Sequence, residues 1–572
     1  MADVWPKHMP RSLDYPRVGV DALLAGASRA YPERVALREG DETLTFAELY
    51  DRALRVAAGL RVRGVRPGDT VALHLPNSAW FLVAYYGILC SGATAAALNP
   101  AQPPAALRQQ LADCDVKAVF THPRNGAVLA DGAVPEGVRF AVLVPGSAAA
   151  PAPEGVGLPE GIFPDDVVPF ADLLTAGRLE GYRVDPESVA HFQFTGGTTG
   201  RPKAVRVLHR NVVANAVQTA CWRSPALPCL DEEDGLRLRF RPEAAHRHAI
   251  PPGEGVALSV APLFHSLGLV GQNVNTLLGT TVTIAGRFAP DAFLESIADQ
   301  GVTQLAGSPS MYHALLSSPV IDTADLTSVR MLATGAAPID TAALARLRAA
   351  FPNAAVVDAY GLSECTAAVT YTPLDAELPV PAGAVGLPLF DTEVEIRSED
   401  GATVLPQGAT GEVWVRGPQV TDGYQGHPEL TAEQFVDGRL RTGDLGHVDD
   451  QGFLFLVGRA KDMLIYKGYN VYPQPLEELL CSHPAVAQAA VVGRPDPIAG
   501  QVPVAFVVLR PSYVAEAARG GALQDEVLAH VARQVAPYQK VRDLCVVDAL
   551  PLTPTGKILK TELRDRLGLA PC

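Results

Sequence analysis

The chain is 572 residues long with a mass of 60.4 kDa, which at ~100–200 residues per domain predicts several domains. Lys and Arg number 47 against 62 Asp and Glu, and the net charge of −15 argues against nucleic acid as the main partner, because phosphate binding needs a basic surface. With 48% hydrophobic and 19% charged residues the chain is too apolar to be disordered.

In chain order, the first twenty residues, MADVWPKHMPRSLDYPRVGV, contain no apolar core segment, so no signal peptide is expected. The stretch from Val71 to Leu107 lacks Asp, Glu, Lys and Arg, but Pro76, Asn77, Ser78, Gly87, Gly92 and Asn99 interrupt it. It predicts a buried helix over Ser78–Cys90 rather than a membrane span. Short β-branched runs, TVALHL (70–75), KAVFTH (117–122), TVTIAG (281–286) and AAVVDAY (354–360), alternate with helical patterns at 104–114 and 340–351. Such alternation predicts parallel α/β sheets.

Trp222 to Glu254 combines prolines, an acidic run and clustered arginines. It reads as a surface excursion between a helix (Asn211–Cys221) and a strand (Gly255–Val260). His246 and His248 then belong to a solvated loop rather than a metal site. Beyond Gly386 the runs TEVEIRSEDG, GEVWVRG and GFLFLVGR predict a small antiparallel or barrel-like unit. From Lys461 onward a helix (LEELLCSH), two strands (AVAQAAVVGRP, VPVAFVVLR) and a helix (LQDEVLAHVARQV) form a short α+β segment. The eight cysteines are scattered without CxxC spacing, which predicts the reduced thiols of a cytosol and neither a disulfide frame nor a zinc site.

The strongest local signal is Phe194-Thr-Gly-Gly-Thr-Thr-Gly-Arg-Pro-Lys203, directly after the apolar strand HFQF. Glycines let a backbone approach an anion and expose N–H groups, and hydroxyls and Lys add donors. The loop has phosphate-cradling chemistry, although a plain Gly/Thr turn is the alternative on composition alone. It is not a Walker loop: Arg201 stands five positions after Gly196, and no Lys-Ser/Thr pair follows.

TGGTTGRPK resembles the phosphate loop of the acyl-adenylate-forming superfamily, which contains acyl-CoA synthetases, firefly luciferases and the adenylation domains of peptide synthetases. Further segments resemble that family's motifs in the expected order: Pro262-Leu-Phe-His265-Ser-Leu-Gly-Leu, Gly335-Ala336-Ala337-Pro338, Asp358-Ala-Tyr360-Gly361-Leu-Ser363-Glu364, Arg441-Thr-Gly-Asp444, Gly458-Arg459-Ala-Lys461-Asp462 and Pro554-Thr-Gly-Lys557. The likeness runs from about residue 30 to 565, and LHRNVVAN (208–215) and IYKGYNVYP (465–473) look most like the medium- and long-chain fatty acyl-CoA synthetases.

The resemblance implies an α/β protein with a large N-terminal domain over 1–458, built of two parallel α/β subdomains plus a small β-barrel. A small mobile α+β C-terminal lid domain follows over 459–572. It implies activation of a fatty acid by ATP through an acyl-adenylate, with release of pyrophosphate and transfer to coenzyme A. In those terms Thr195, Gly196, Gly197, Thr198, Thr199, Gly200 and Lys203 hold the β- and γ-phosphates. Gly335, Ala336, Ala337 and Pro338 form the adenine turn, with Asp358, Tyr360 (stacked on adenine), Gly361 and Ser363 beside it. Glu364, with Thr195, binds Mg²⁺. Asp444 accepts from the ribose hydroxyls, and Arg459 contacts ribose or phosphate. Lys557 stabilises charge in the first step, and His265 gates or aligns the acyl group, with simple packing as the alternative. Lys461 is the hinge, and Lys467, Gly468 and Tyr469 line a pantetheine tunnel in the second step.

Three positions depart from the pattern. Ala204 replaces a glycine, a mild change. Ile465 stands where luciferases carry a lysine, which weighs against a luciferase-like oxidation. Pro475 replaces a glutamate, yet Pro is tolerated in a first helical turn. A stand-alone adenylation enzyme that loads an acyl, aryl or amino acid onto an external carrier protein is the alternative function. The expected partners are a small carboxylic acid, ATP and coenzyme A, with at most peripheral membrane contact, no nucleic acid, a monomeric or homodimeric state and a cytoplasmic location.

Overall fold

The computed structural model describes residues 5–6, 9–152, 163, 166–195, 202–335, 339, 341–374, 380–517, 521–553 and 557–569. The alternation of strands and helices produces two large sheets. The first has seven strands in the order 166–169, 140–143, 116–121, 70–74, 94–97, 189–194, 204–208, parallel except for the last pair. The second has nine, in the order 387–388, 368–371, 355–361, 331–334, 304–307, 256–259, 281–284, 35–39, 42–45, parallel from 355–361 to 35–39 and antiparallel at both ends.

Ala79–Cys90 is a helix whose residues from Phe81 onward are all buried. The Ser78 side chain accepts from Phe81 N at 3.2 Å, satisfying a donor that the first turn leaves without an intrahelical partner. The buried Glu39 carboxylate accepts from Ala79 N at 2.7 Å and from Ala149 N at 2.9 Å. Tyr85 approaches His191 of the first sheet, and Tyr86 donates to Asn273 and Thr276 of the helix Ser266–Leu277. This helix therefore ties the two sheet layers into one core, and the run that lacks charges is interior rather than membranous. Among the described residues no helix is long and apolar enough to cross a membrane.

The strands Glu393–Arg397, Gly411–Arg416, Arg439–Val448 and Leu454–Arg459 pair antiparallel as a small sheet around Ile396, Val413, Val415, Leu440 and Leu454. The C-terminal segment has a separate sheet, with 469–471, 464–466, 500–509 and 486–496 antiparallel and 543–546 parallel to 500–509. Its own apolar core is built around Leu476, Val491, Val507 and Val531. Its first helix begins at Pro473, so Pro475 lies in the opening turn as its missing N–H requires.

Two expectations are corrected. The Trp222–Glu254 segment is no loose excursion: Ala226–Leu230 and Leu236–Phe240 form a hairpin against the helix Asp21–Ala30. A Cβ at Gly26 would lie 2.1 Å from Leu236 O, so helix and hairpin meet backbone to backbone. Arg29 grips Asp231 through Nε at 2.8 Å and Nη2 at 2.9 Å. His248 is buried rather than solvated, and no group of three or more potential metal-binding side chains forms among the described residues. The second correction concerns the thiols, which are not all reduced: Cys545 is disulfide-bonded.

Candidate active site

One cavity of about 2070 Å³ lies at the C-terminal edge of the nine-stranded sheet and extends to the C-terminal segment, where open α/β sheets bind ligands. Its wall gathers motifs from across the chain: Thr195, Lys203, His265, Gly335, Asp358, Tyr360, Gly361, Ser363, Glu364, Asp444, Arg459, Lys461 and Lys557 all line it. Gly196, Gly197, Thr198, Thr199 and Gly200, and likewise Ala336, Ala337 and Pro338, lie outside the described residues.

The phosphate-loop motif joins two antiparallel strands, Val189–Phe194 and Ala204–Leu208. Its mouth is closed by Thr195 N donating to Lys203 O at 3.0 Å and Lys203 N donating to Thr195 Oγ1 at 3.3 Å. Lys203 Nζ lies 5.9 Å from the ring centre of Tyr424, and the Tyr424 hydroxyl donates to Glu364 Oε1 at 2.8 Å. Lysine, tyrosine and glutamate thus form one chain along the wall. The sequence reading had no role for Tyr424; its one signal was an aromatic side chain beside a glycine, which is too common to mark a site.

Glu364 sits on a short 3₁₀ turn after the strand Ala355–Gly361. A Cβ on Gly361 would stand 1.8 Å from Ala367 O, so only glycine lets the chain double back there. Thr366 closes the turn at φ +66° and donates from Oγ1 to Gln419 O at 2.8 Å. A non-glycine residue held in that region beside a cavity-lining carboxylate indicates a turn imposed by its surroundings.

Asp444 and Arg459 are cross-strand partners on Arg439–Val448 and Leu454–Arg459, and Arg459 Nε meets Asp444 Oδ1 at 3.0 Å. Tyr360 donates to Asp444 Oδ2 at 2.7 Å. The carboxylate is therefore oriented at both oxygens, each of which retains acceptor capacity. The Tyr360 ring is buried with Val413 and Leu440, so its visible task is to orient Asp444. Asp358 is pushed up to about 7 by burial.

His265 caps the helix Ser266–Leu277, its Nδ1 accepting from Leu267 N at 3.3 Å, so the proton sits on Nε2. Burial first, and the Lys557 charge second, push it down to about 4, so it is neutral at physiological pH. Burial also lowers the Lys557 ammonium, as does Arg459, while Asp444 and Glu364 oppose the shift. Lys557 is thus within electrostatic reach of all four groups. Its loop is tied by Lys557 N to Thr553 Oγ1 at 3.0 Å and by Thr553 N to Lys557 O at 2.7 Å. Lys461 lies exposed beside Arg459, its ammonium lowered mainly by desolvation. Lys467 and Gly468 instead turn a hairpin at φ +50° and +83°, and Tyr469 is exposed and stacks on Tyr538 at 4.7 Å. In this arrangement Lys557 reaches the cavity, and Lys467, Gly468 and Tyr469 are not among its lining residues.

Residues 24–425 match the AMP-binding enzyme family and residues 475–557 match the AMP-binding enzyme C-terminal domain. The chain belongs to the AMP-binding enzyme family. Among its relatives is a long-chain-fatty-acid–CoA ligase of Bacillus subtilis (strain 168), 29% identical over 98% of this chain and 97% of that protein. Another is the 4-coumarate–CoA ligase-like 9 of Oryza sativa subsp. japonica, 34% identical over 96% of this chain and 92% of that one. The solved ATP-bound MatB of Rhodopseudomonas palustris superposes with a TM-score of 0.79 at 26% identity, covering 96% of this chain and 99% of that one. The protein is therefore an AMP-forming acid–CoA ligase by family, with the α/β body and separate C-terminal domain of adenylate-forming enzymes. Enzymes of this kind use ATP and coenzyme A.

Proposed function

We propose that the protein activates a medium- or long-chain fatty acid with ATP and transfers the acyl group to coenzyme A. In the first step the substrate carboxylate oxygen attacks the α-phosphorus. The bond to pyrophosphate breaks, and a mixed acyl–AMP anhydride forms. In the second step the coenzyme A thiolate attacks the acyl carbon, a C–S bond forms, and AMP leaves. The first step crowds anions together, so the site must neutralise charge and hold an in-line approach.

One observation carries this reading. Lys557, from a core of its own, lines the same cavity as His265, Glu364, Asp444 and Arg459. In that role its ammonium stabilises charge between the α-phosphate and the acid. Asp444, oriented by Tyr360 and Arg459, receives the ribose hydroxyls. Lys203 and Thr195 take the outer phosphates. Neutral His265, protonated on Nε2, donates towards the acyl carboxylate and shields it from water.

Glu364 offers a single carboxylate beside the phosphate-loop lysine, and the described residues form no multi-ligand cage. That donor set fits Mg²⁺, which keeps water and phosphate ligands and takes only one or two carboxylates. Held there by Glu364 with Thr195, the ion would offset the negative charge of the phosphates. For the second step the C-terminal domain swivels at the 458/459 boundary, beside Lys461, exchanging the Lys557 loop for the Lys467-Gly468-Tyr469 hairpin.

The test is product analysis. Purified protein given ATP, Mg²⁺, coenzyme A and decanoate or palmitate is expected to release AMP and pyrophosphate and to form the acyl thioester. Production of ADP would overturn the mechanism.

A further inference from the structure

The cavity continues away from the nucleotide motifs along the helix His209–Arg223, where Asn215, Thr219 and Arg223 recur at four-residue spacing and all line it. Four-residue spacing keeps side chains on one helix face, and Asn215 to Arg223 spans about 12 Å. The upper end is marked by Asn215 Nδ2 donating to Ala368 O at 2.9 Å. At the lower end Trp222 Nε1 donates to Thr372 O at 3.1 Å and Arg223 Nη2 to the Tyr371 hydroxyl at 2.7 Å. On the sheet side Gln304 and Met331, at the strand ends opposite the nucleotide, line this far end, and a small adjoining pocket touches the same residues.

Between the two ends Thr219 is joined by apolar Val270, Val274, Leu305 and Ala333. A tunnel for a plain alkyl chain would finish in similar side chains, but this one finishes in guanidinium groups. Arg223 Nε is buried and has no hydrogen-bond partner, and among the described residues its one hydrogen bond is to Tyr371. Arg247 lines the same end, donating from Nε to His248 Nε2 at 2.7 Å, while His248 Nδ1 donates to Asn353 O at 3.0 Å. His248 thus accepts from Arg247 and orients it. Arg247 is exposed, so the far end reaches water. An alkyl terminus here would leave a desolvated guanidinium donor unfilled, which is costly. The planar fork of an arginine matches a carboxylate instead.

We propose that the acid activated at this site carries a second carboxylate at the far end of its aliphatic chain, held by Arg223 with Arg247 beside it. This rests on the acid-activating role proposed above and narrows its substrate to medium-length aliphatic dicarboxylates.

The experiment compares AMP release with decanoate and with decanedioate. Wild type is expected to show a kcat/KM for decanedioate at least about tenfold higher, the scale of a charge-assisted hydrogen bond. Arg223→Met is expected to lower the decanedioate value by about 10–100-fold and to raise that for decanoate, with Arg223→Lys recovering part of the loss. The inference falls if wild type uses decanoate as well as or better than decanedioate. It also falls if Arg223→Met lowers both acids equally. If decanoate alone yields AMP, the acid-activating role survives without it; if neither acid does, both fall. The wild-type comparison depends on no variant folding.

Discussion

The two walls of the cavity are built on different principles. On the N-terminal wall both carboxylates are held by neighbours: Asp444 by Tyr360 and Arg459, Glu364 by Tyr424. Those partners stand on strands of a shared core or on turns braced against it. On the C-terminal wall Lys557 is tied to Thr553 by two contacts, and the ion pairs Lys560–Glu477 at 2.6 Å and Arg564–Asp462 at 2.6 Å stay within residues 462–564. Burial and Arg459 weaken the Lys557 charge, while Asp444 and Glu364 support it. In the proposed function the N-terminal wall meets its nucleotide with both carboxylates already oriented. The lysine on the other wall is electrostatically poised, and anionic phosphate and carboxylate would favour it further. This is the division expected of a site that must hold one ligand through two steps while exchanging the group opposite it.

Removing Lys557 tests that division most severely. Lys557→Ala is expected to cut ATP–pyrophosphate exchange by about 10²–10³-fold, the scale of losing a preorganised electrostatic donor. Thioester formation from supplied acyl-adenylate should survive; equal loss of both steps would break the contrast between the walls. Glu364→Gln should lower adenylation by about 100-fold and raise the Mg²⁺ concentration needed for half-maximal rate. A change in rate without a change in Mg²⁺ dependence would remove the carboxylate from the metal's coordination.

Tyr360→Phe keeps the ring and deletes the hydrogen bond to Asp444. At roughly 1–1.5 kcal/mol, it should raise KM for ATP about 5–10-fold with kcat little changed, because it orients a binding group.

The smallest expected effect is a pH-dependent one at Asp358. Its folded pKa is raised from 3.8 to about 7, so the native state prefers the protonated carboxyl. The associated stability is present below pH 3.8 and lost as pH rises through about 7. Asp358→Asn should therefore raise the Tm of the unliganded protein by about 2 °C at pH 8 and by much less at pH 5. A rise that is the same at both pH values would mean that the ionisation of Asp358 does not matter to the fold. His265 has the opposite sign: held down near 4, it stays neutral and supports the fold above its unfolded value, and that support fades as the medium is acidified towards 4.

Much of this molecule was legible in the chain because the signals were local. The strand runs at 70–75, 117–122 and 354–360, the helix after Ser78, the antiparallel set beyond Gly386 and the α+β C-terminal segment each depend on periodicity and turn chemistry within a dozen residues. The order of the glycine, acidic and lysine motifs was equally visible, since each is contiguous. The Trp222–Glu254 segment misled because its prolines and charges suggested a surface loop, while burial of Leu236 and His248 comes from a helix some two hundred residues earlier and from Asn353.

What the sequence determined by itself was the alternation of strands and helices outside the 226–240 hairpin, the separate C-terminal segment and the presence of nucleotide-handling motifs. Tertiary structure alone decided which side chains meet. Tyr360 and Asp444 are 84 positions apart, Glu364 and Tyr424 are 60 apart, and Arg223 and Tyr371 are 148 apart. Strand order and helix packing set those distances, and neither is written in any short window of residues.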